Sequence, residues 1–203
     1  PGASGPLPSH GIYRPLDGEL RQLAEMIGSA ERITVFCGIG AREAHDEVVR
    51  LAAMLKAPVA YTFKAKMEVQ YDNPYEIGMT GLLGLPSAYG AMHESDLLLL
   101  LGTDFPYDCF LPSECRIAQV DIRPERIGRR ARVELGLAGD VKDTLQALLP
   151  MLRERSDRTF LDRQLKIYRA LCDDMAAVAS KRGSTGNIAP EYVATLIDSL
   201  ASD

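Results

Sequence analysis

Residues 97–124 read LLLLLGTDFPYDCFLPSECRIAQVDIRP and hold two apolar runs of strand length, one stopping at Gly102 and the other at Asp121. A strand that is apolar on both faces belongs inside a parallel sheet covered by helices on either side. In such sheets, ligands bind in the crevice past the carboxyl ends of the strands. A glycine at a strand end lets a ligand approach the backbone, and an acidic residue ending the neighbouring strand accepts hydrogen bonds from ribose hydroxyls. The same residues serve as plain turn and cap in many α/β domains, so at this point a nucleotide site and a bland turn are both open.

The 203 residues are 46% hydrophobic with a formal net charge of -5, which suits one α/β core with appendages. There is no Lys/Arg run and no interleaving of basic and aromatic residues, so nucleic acid and anionic membrane surfaces are set aside as partners. The apolar runs fall well short of the roughly 18 residues that span a bilayer, and no basic-then-apolar signal segment opens the chain. A cytoplasmic protein is expected. Cys37, Cys109, Cys115 and Cys172 lack CxxC spacing and are expected to be buried free thiols rather than zinc ligands or disulfides. His10, His45 and His93 are scattered, and the latter two, beside carboxylates in helical patterns, are expected to be solvated or capping.

The opening PGASGPLPSHG has the Gly/Pro/Ser composition of an interdomain linker. Asp17 is placed to cap a helix that ends near Gly28, and a strand follows over 33–37. The turn Cys37-Gly38-Ile39-Gly40-Ala41 leads into a helix reaching about Leu55, and residues 58–61 complete a βαβ unit. The third glycine of a GxGxxG fingerprint is replaced by Glu43, so this turn is a weak dinucleotide signature. Residues 62–90 are too rich in Gly, Pro and Asn for a long regular element and read as a functional loop centred on Gly78-Met79-Thr80-Gly81. Within it Lys64 and Lys66 could neutralise phosphate, or be solvated loop charges. A helix at 87–94, strands at 97–101, 117–121 and 133–138, and helices at 144–152, 158–179 and 190–200 follow, with Asp140 as an N-cap and a polar break at 181–187. Alternating strands and helices through the first 150 residues predict a Rossmann-like, doubly wound parallel sheet of the α/β class.

The strings VQYDNPYEIGMTGLLG, DLLLLLGTDFPYDCF and IAQVDIRPERIGRRARVELGLAGDVKDTLQALLP resemble the central domain of thiamine-diphosphate-dependent enzymes, in particular the FAD-binding branch of pyruvate oxidases and pyruvate:quinone dehydrogenases. The resemblance runs from about Glu19 onward. It implies FAD as this domain's cofactor. Gly38 and Gly40 would flank the flavin nucleotide, and Thr80, Gly81 and Leu82 would lie along it. Gly102, Thr103, Asp104, Phe105 and Pro106 would wrap the ribityl and pyrophosphate region. Asp121 would take the adenosine ribose, and Gly139 with Asp140 would close the adenine end.

The resemblance also divides the chain into a linker over 1–16, the cofactor-binding domain over 17–155, a charged connecting helix over 156–182, and the start of a thiamine-binding domain over 183–203. The family's GDG motif and activating glutamate are missing from this sequence. Thiamine diphosphate and magnesium would therefore sit outside it, in missing N- and C-terminal domains of a homo-oligomeric parent. By itself the chain should decarboxylate nothing. The leading expectation is FAD-dependent oxidative decarboxylation of pyruvate or a similar 2-oxo acid by the parent. The alternative is a structural or regulatory central domain of a non-flavin decarboxylase or an acetolactate synthase-like transferase. A free-standing NAD-dependent dehydrogenase is disfavoured, because the full fingerprint and an acid-base pair near the strand ends are both lacking.

Overall fold

The computed structural model describes residues 11–179 and 188–201. The described residues form a six-stranded, all-parallel sheet of β1 (Ile33–Cys37), β2 (Val59–Tyr61), β3 (Glu76–Met79), β4 (Leu97–Leu101), β5 (Arg116–Asp121) and β6 (Leu135–Ala138). Their order is β3-β2-β1-β4-β5-β6, so the direction of winding reverses between β1 and β4. That reversal opens the crevice in which doubly wound sheets take ligands.

The five leucines of β4 are all buried because each face of the sheet is covered. Leu97, Leu99 and Leu101 point into one core with α1 (Asp17–Ser29), α2 (His45–Leu55) and α5 (Val141–Leu148). Leu98 and Leu100 point into the other, with α4 (Pro86–Glu94) and the first half of α6 (Thr159–Ala179). Burying one such side chain is worth roughly 1.5–3 kcal/mol, so β4 pins the sheet from both sides. Asp140 caps α5 as expected, accepting from the Asp143 amide at 3.1 Å.

Several expectations are corrected. Leu16, not Asp17, holds the N-cap position of α1; its amide donates to the Glu19 carboxylate at 2.8 Å, while Asp17 pairs with Arg14. The stretch 62–90 contains more than loop: a short helix α3 (Lys66–Val69) and the edge strand β3 lie within it. Cys37 is buried, but Cys109 is exposed and Cys115 and Cys172 are half-buried. His45 is neither solvated nor a cap: its ring stacks on Tyr71 at 4.0 Å and bonds the Tyr71 carbonyl through Nε2 at 2.6 Å. α5 starts at Val141 rather than 144, and β6 starts at Leu135 rather than 133. The last helix, α7 (Pro190–Leu200), forms where expected; the polar break at 181–187 lies outside the described residues.

A hydrogen-bonded hub joins α6 to the sheet edge. The Tyr61 hydroxyl donates to Glu76 Oε2 at 2.7 Å and the Tyr168 hydroxyl donates to Oε1 at 3.0 Å. Burial and the Glu76 carboxylate push both phenols up, so they stay protonated donors.

Candidate nucleotide-binding cleft

Beyond the carboxyl ends of the strands lies a cleft of about 550 Å³. Its walls come from the loops after β1, β2, β3 and β4, and from the segment after β5. Thr80, Gly81, Leu82, Gly102, Thr103, Asp104, Phe105 and Pro106 all line it, so eight of the residues singled out in the sequence meet in one place. Lys64 lines it as well and Lys66 does not.

The other five lie elsewhere. Gly38 and Gly40 are beneath the cleft, packed on Gly102. Gly102 has φ +61, and a Cβ placed there would lie 2.5 Å from Gly40 Cα; a Cβ on Gly38 would lie 2.4 Å from the Gly102 carbonyl oxygen. Their amides are also taken: Gly38 donates to the Leu101 carbonyl at 2.8 Å, Gly40 to Gly102 at 2.9 Å, and Gly102 to Val120 at 2.8 Å. These glycines bring two strand-end turns into backbone contact across the winding reversal. Asp121 sits at the β5 end, buried, with its Oδ1 accepting from the Arg123 amide at 2.9 Å. Burial raises its carboxyl above the usual range, against the pull of that amide and of Arg126. Gly139 and Asp140 are covered by residues 13–15: a Cβ on Gly139 would meet Pro15 Cδ at 2.7 Å, and the Asp140 amide donates to the Tyr13 carbonyl at 2.7 Å.

Two features of the cleft suit an anionic ligand with a flat apolar part. Lys64, Arg126 and Arg130 line it against a single carboxylate, Asp104, which stands out in a chain of net charge -5. Phe63, Leu82 and Leu83 line it too and are exposed, while Phe105 stands edge-on to Phe36 and Tyr107. Thr80 is buried, yet its hydroxyl has no hydrogen-bond partner among the described residues. A buried hydroxyl left unpaired is costly; the Thr144 hydroxyl shares that state away from the cleft, whereas Thr80 is a residue of the cleft wall. No group of side chains among the described residues could hold a metal ion.

Sequence reasoning missed Gln119, Arg126 and Arg130. Gln119 is a buried polar residue in an apolar strand, and that oddity was its only signal. Its amide donates to the carbonyls of Thr103 at 3.2 Å and Arg126 at 3.4 Å, and its oxygen accepts from the Gly128 amide at 3.0 Å. It thereby stitches the loop after β4 to the segment after β5.

An all-parallel six-stranded sheet whose winding reverses between β1 and β4, with a lined cleft at its carboxyl edge, defines a Rossmann-like α/β domain. Residues 20–148 match the family model for the thiamine pyrophosphate enzyme central domain, and the chain belongs to that family. It is 50% identical over 158 residues, 78% of this chain and 40% of the relative, to an uncharacterized 42.6 kDa protein of Pseudomonas amyloderamosa. It is 34% identical over 159 residues, 78% of this chain and 28% of the relative, to YdaP of Bacillus subtilis (strain 168), described as thiamine pyrophosphate-containing. It is 29% identical over 199 residues, 93% of this chain and 32% of the relative, to an acetolactate synthase of Mycobacterium avium. The chain thus spans less than half the length of these relatives.

Proposed function

We propose that this domain holds FAD within a thiamine-diphosphate-dependent enzyme acting on pyruvate or a similar 2-oxo acid. The observation that carries this reading is the pairing, in one cleft, of a cationic wall at Lys64, Arg126 and Arg130 with the unpartnered Thr80 hydroxyl. The volume falls within the usual range for cofactor sites, roughly 300–1,000 Å³. When bound, FAD supplies a two-electron acceptor, while this chain's residues bind and orient it. Arg126 and Arg130 would neutralise the diphosphate, Thr80 would bond a polar edge, and Phe63, Leu82 and Leu83 would exclude water from the ring system. Asp121 and Asp140 would serve the adenosine end after residues 13–15 shift. Thiamine diphosphate and magnesium would lie in other domains of a cytoplasmic homo-oligomeric parent; no described helix is long and apolar enough to cross a membrane.

Two reactions fit such a parent. Oxidative decarboxylation would send electrons from the substrate to the flavin. An acetolactate synthase-like transfer has at least equal support, because a relative carrying that name aligns over 93% of the chain. Flavin absorbance of the purified full-length protein tests the cofactor, and a flavin-free protein that takes up no added FAD overturns it. Thr80→Val should weaken FAD binding by about tenfold, the worth of one hydrogen bond. Product analysis with pyruvate separates the reactions: acetate with a reduced acceptor marks oxidation, acetolactate without one marks transfer.

A further inference from the structure

We infer that Asp104 is a positioning residue that holds Arg126 and Arg130 as a preformed receptor for a diphosphate. The inference deepens the flavin reading and rests on it for the identity of the natural ligand. Asp104 is nearly buried, with 13% of its side chain exposed, and three guanidinium groups converge on it. Arg130 approaches through Nε at 3.1 Å, Arg126 through Nε at 3.9 Å, and Arg129 through Nη1 at 3.2 Å.

The choice of atoms is informative. Arg126 and Arg130 use the inner Nε side towards the carboxylate, and their outer Nη groups have no hydrogen-bond partner among the described residues. Both side chains line the cleft, so two cationic forks stand ready on one wall. Guanidinium forks match phosphate oxygens bidentately, which an ammonium group does not. Three guanidinium groups against one carboxylate leave a local excess of positive charge, tempered by Asp121 at the next strand end. The backbone beneath is fixed as well: Gln119 bonds the Thr103, Arg126 and Gly128 main chain on both sides of the cluster.

Two opposed effects predict opposite signs for the loss of the Asp104 charge. If Asp104 merely adds negative charge to the cleft, Asp104→Asn strengthens the binding of anions. If it positions the arginines, the same change releases two long side chains whose ordering must then accompany binding, and anions bind more weakly. We expect the second outcome. In the full-length protein, Asp104→Asn should bind ADP and inorganic pyrophosphate about three- to tenfold more weakly, with adenosine unaffected. Asp104→Glu should recover part of the loss, and Arg130→Gln should weaken ADP binding and flatten its dependence on salt. Equal or tighter ADP binding by a folded Asp104→Asn variant overturns the inference. Should that variant fail to fold, an Arg130→Gln variant with an unchanged salt dependence overturns it instead. Native protein that binds FAD but neither binds pyrophosphate nor releases FAD to it also overturns it and leaves the flavin reading intact. Native protein that binds pyrophosphate and not FAD does the reverse.

Discussion

The Gly40 amide donates to the Gly102 carbonyl at 2.9 Å, and a methyl group on Gly102 would lie 2.5 Å from Gly40 Cα. Gly102→Ala must therefore open the contact between the turns after β1 and β4 while also holding an L residue at φ +61. Left-handed strain and overpacking together should cost roughly 2–5 kcal/mol, read as a lower urea midpoint. Gly90→Ala is the matched control: this glycine lies inside α4 with open space around it, and alanine there should raise stability by about 0.5–1 kcal/mol.

Gln119→Leu keeps the volume in β5 but strands the Gly128 amide and the Thr103 and Arg126 carbonyls. We expect a loss of about 2–3 kcal/mol in thermal or urea unfolding. The segment it tethers carries Arg126, Arg129 and Arg130, so limited trypsin digestion should cut there faster in the variant than in the native protein.

Asp121 carries a pH signature. Its carboxyl is raised in the fold, mainly by burial, so folding favours its protonated form. A raised acid contributes stability that is full below its unfolded pKa and is lost as pH rises through its folded pKa. Asp121→Asn keeps an acceptor for the Arg123 amide and removes the buried charge. The variant should be at least as stable as the native protein at neutral pH, with the difference shrinking towards mildly acidic pH. Urea midpoints across that range read the effect.

The thiols should sort by environment. Burial pushes Cys37 up to about 12 and Cys115 to about 11, whereas Cys109 is exposed. Because the thiolate is the reactive form, a thiol reagent at mildly alkaline pH should modify Cys109 first and Cys37 only after unfolding. Peptide mass spectrometry of a time course gives the order.

The sheet was legible where burial leaves a local mark. β4 is five leucines because both faces are covered, and β1 and β5 carry the same mark with few exceptions. β3 was not legible: it is four residues long at the sheet edge, contains Gly78 at φ +87, and pairs with β2 through a register shift. Its pairing is a tertiary outcome without a local pattern. In the cleft, the residues just after β4 were legible because a strand end implies a rim, and Thr80 and Gly81 because closely spaced glycines mark a loop that can meet a ligand. Arg126 and Arg130 were not, since they reach it only after residues 124–130 fold back over Gln119. Gly38 and Gly40 show a further limit: the same letter admits a ligand or a neighbouring turn, and here the neighbouring turn lies against them.

That close contact takes the amides of three strand-end glycines out of reach of any ligand. In a dinucleotide crevice of the usual kind, bare peptide amides meet the phosphates, and almost any side chain leaves them in place. With the amides of Gly38, Gly40 and Gly102 already engaged, the positive charge of the cleft wall resides in the side chains of Lys64, Arg126 and Arg130. One codon change at Arg126 or Arg130 would alter that charge without touching the glycine contact that joins the two halves of the sheet, so the electrostatics of the cleft can change while the fold stays fixed.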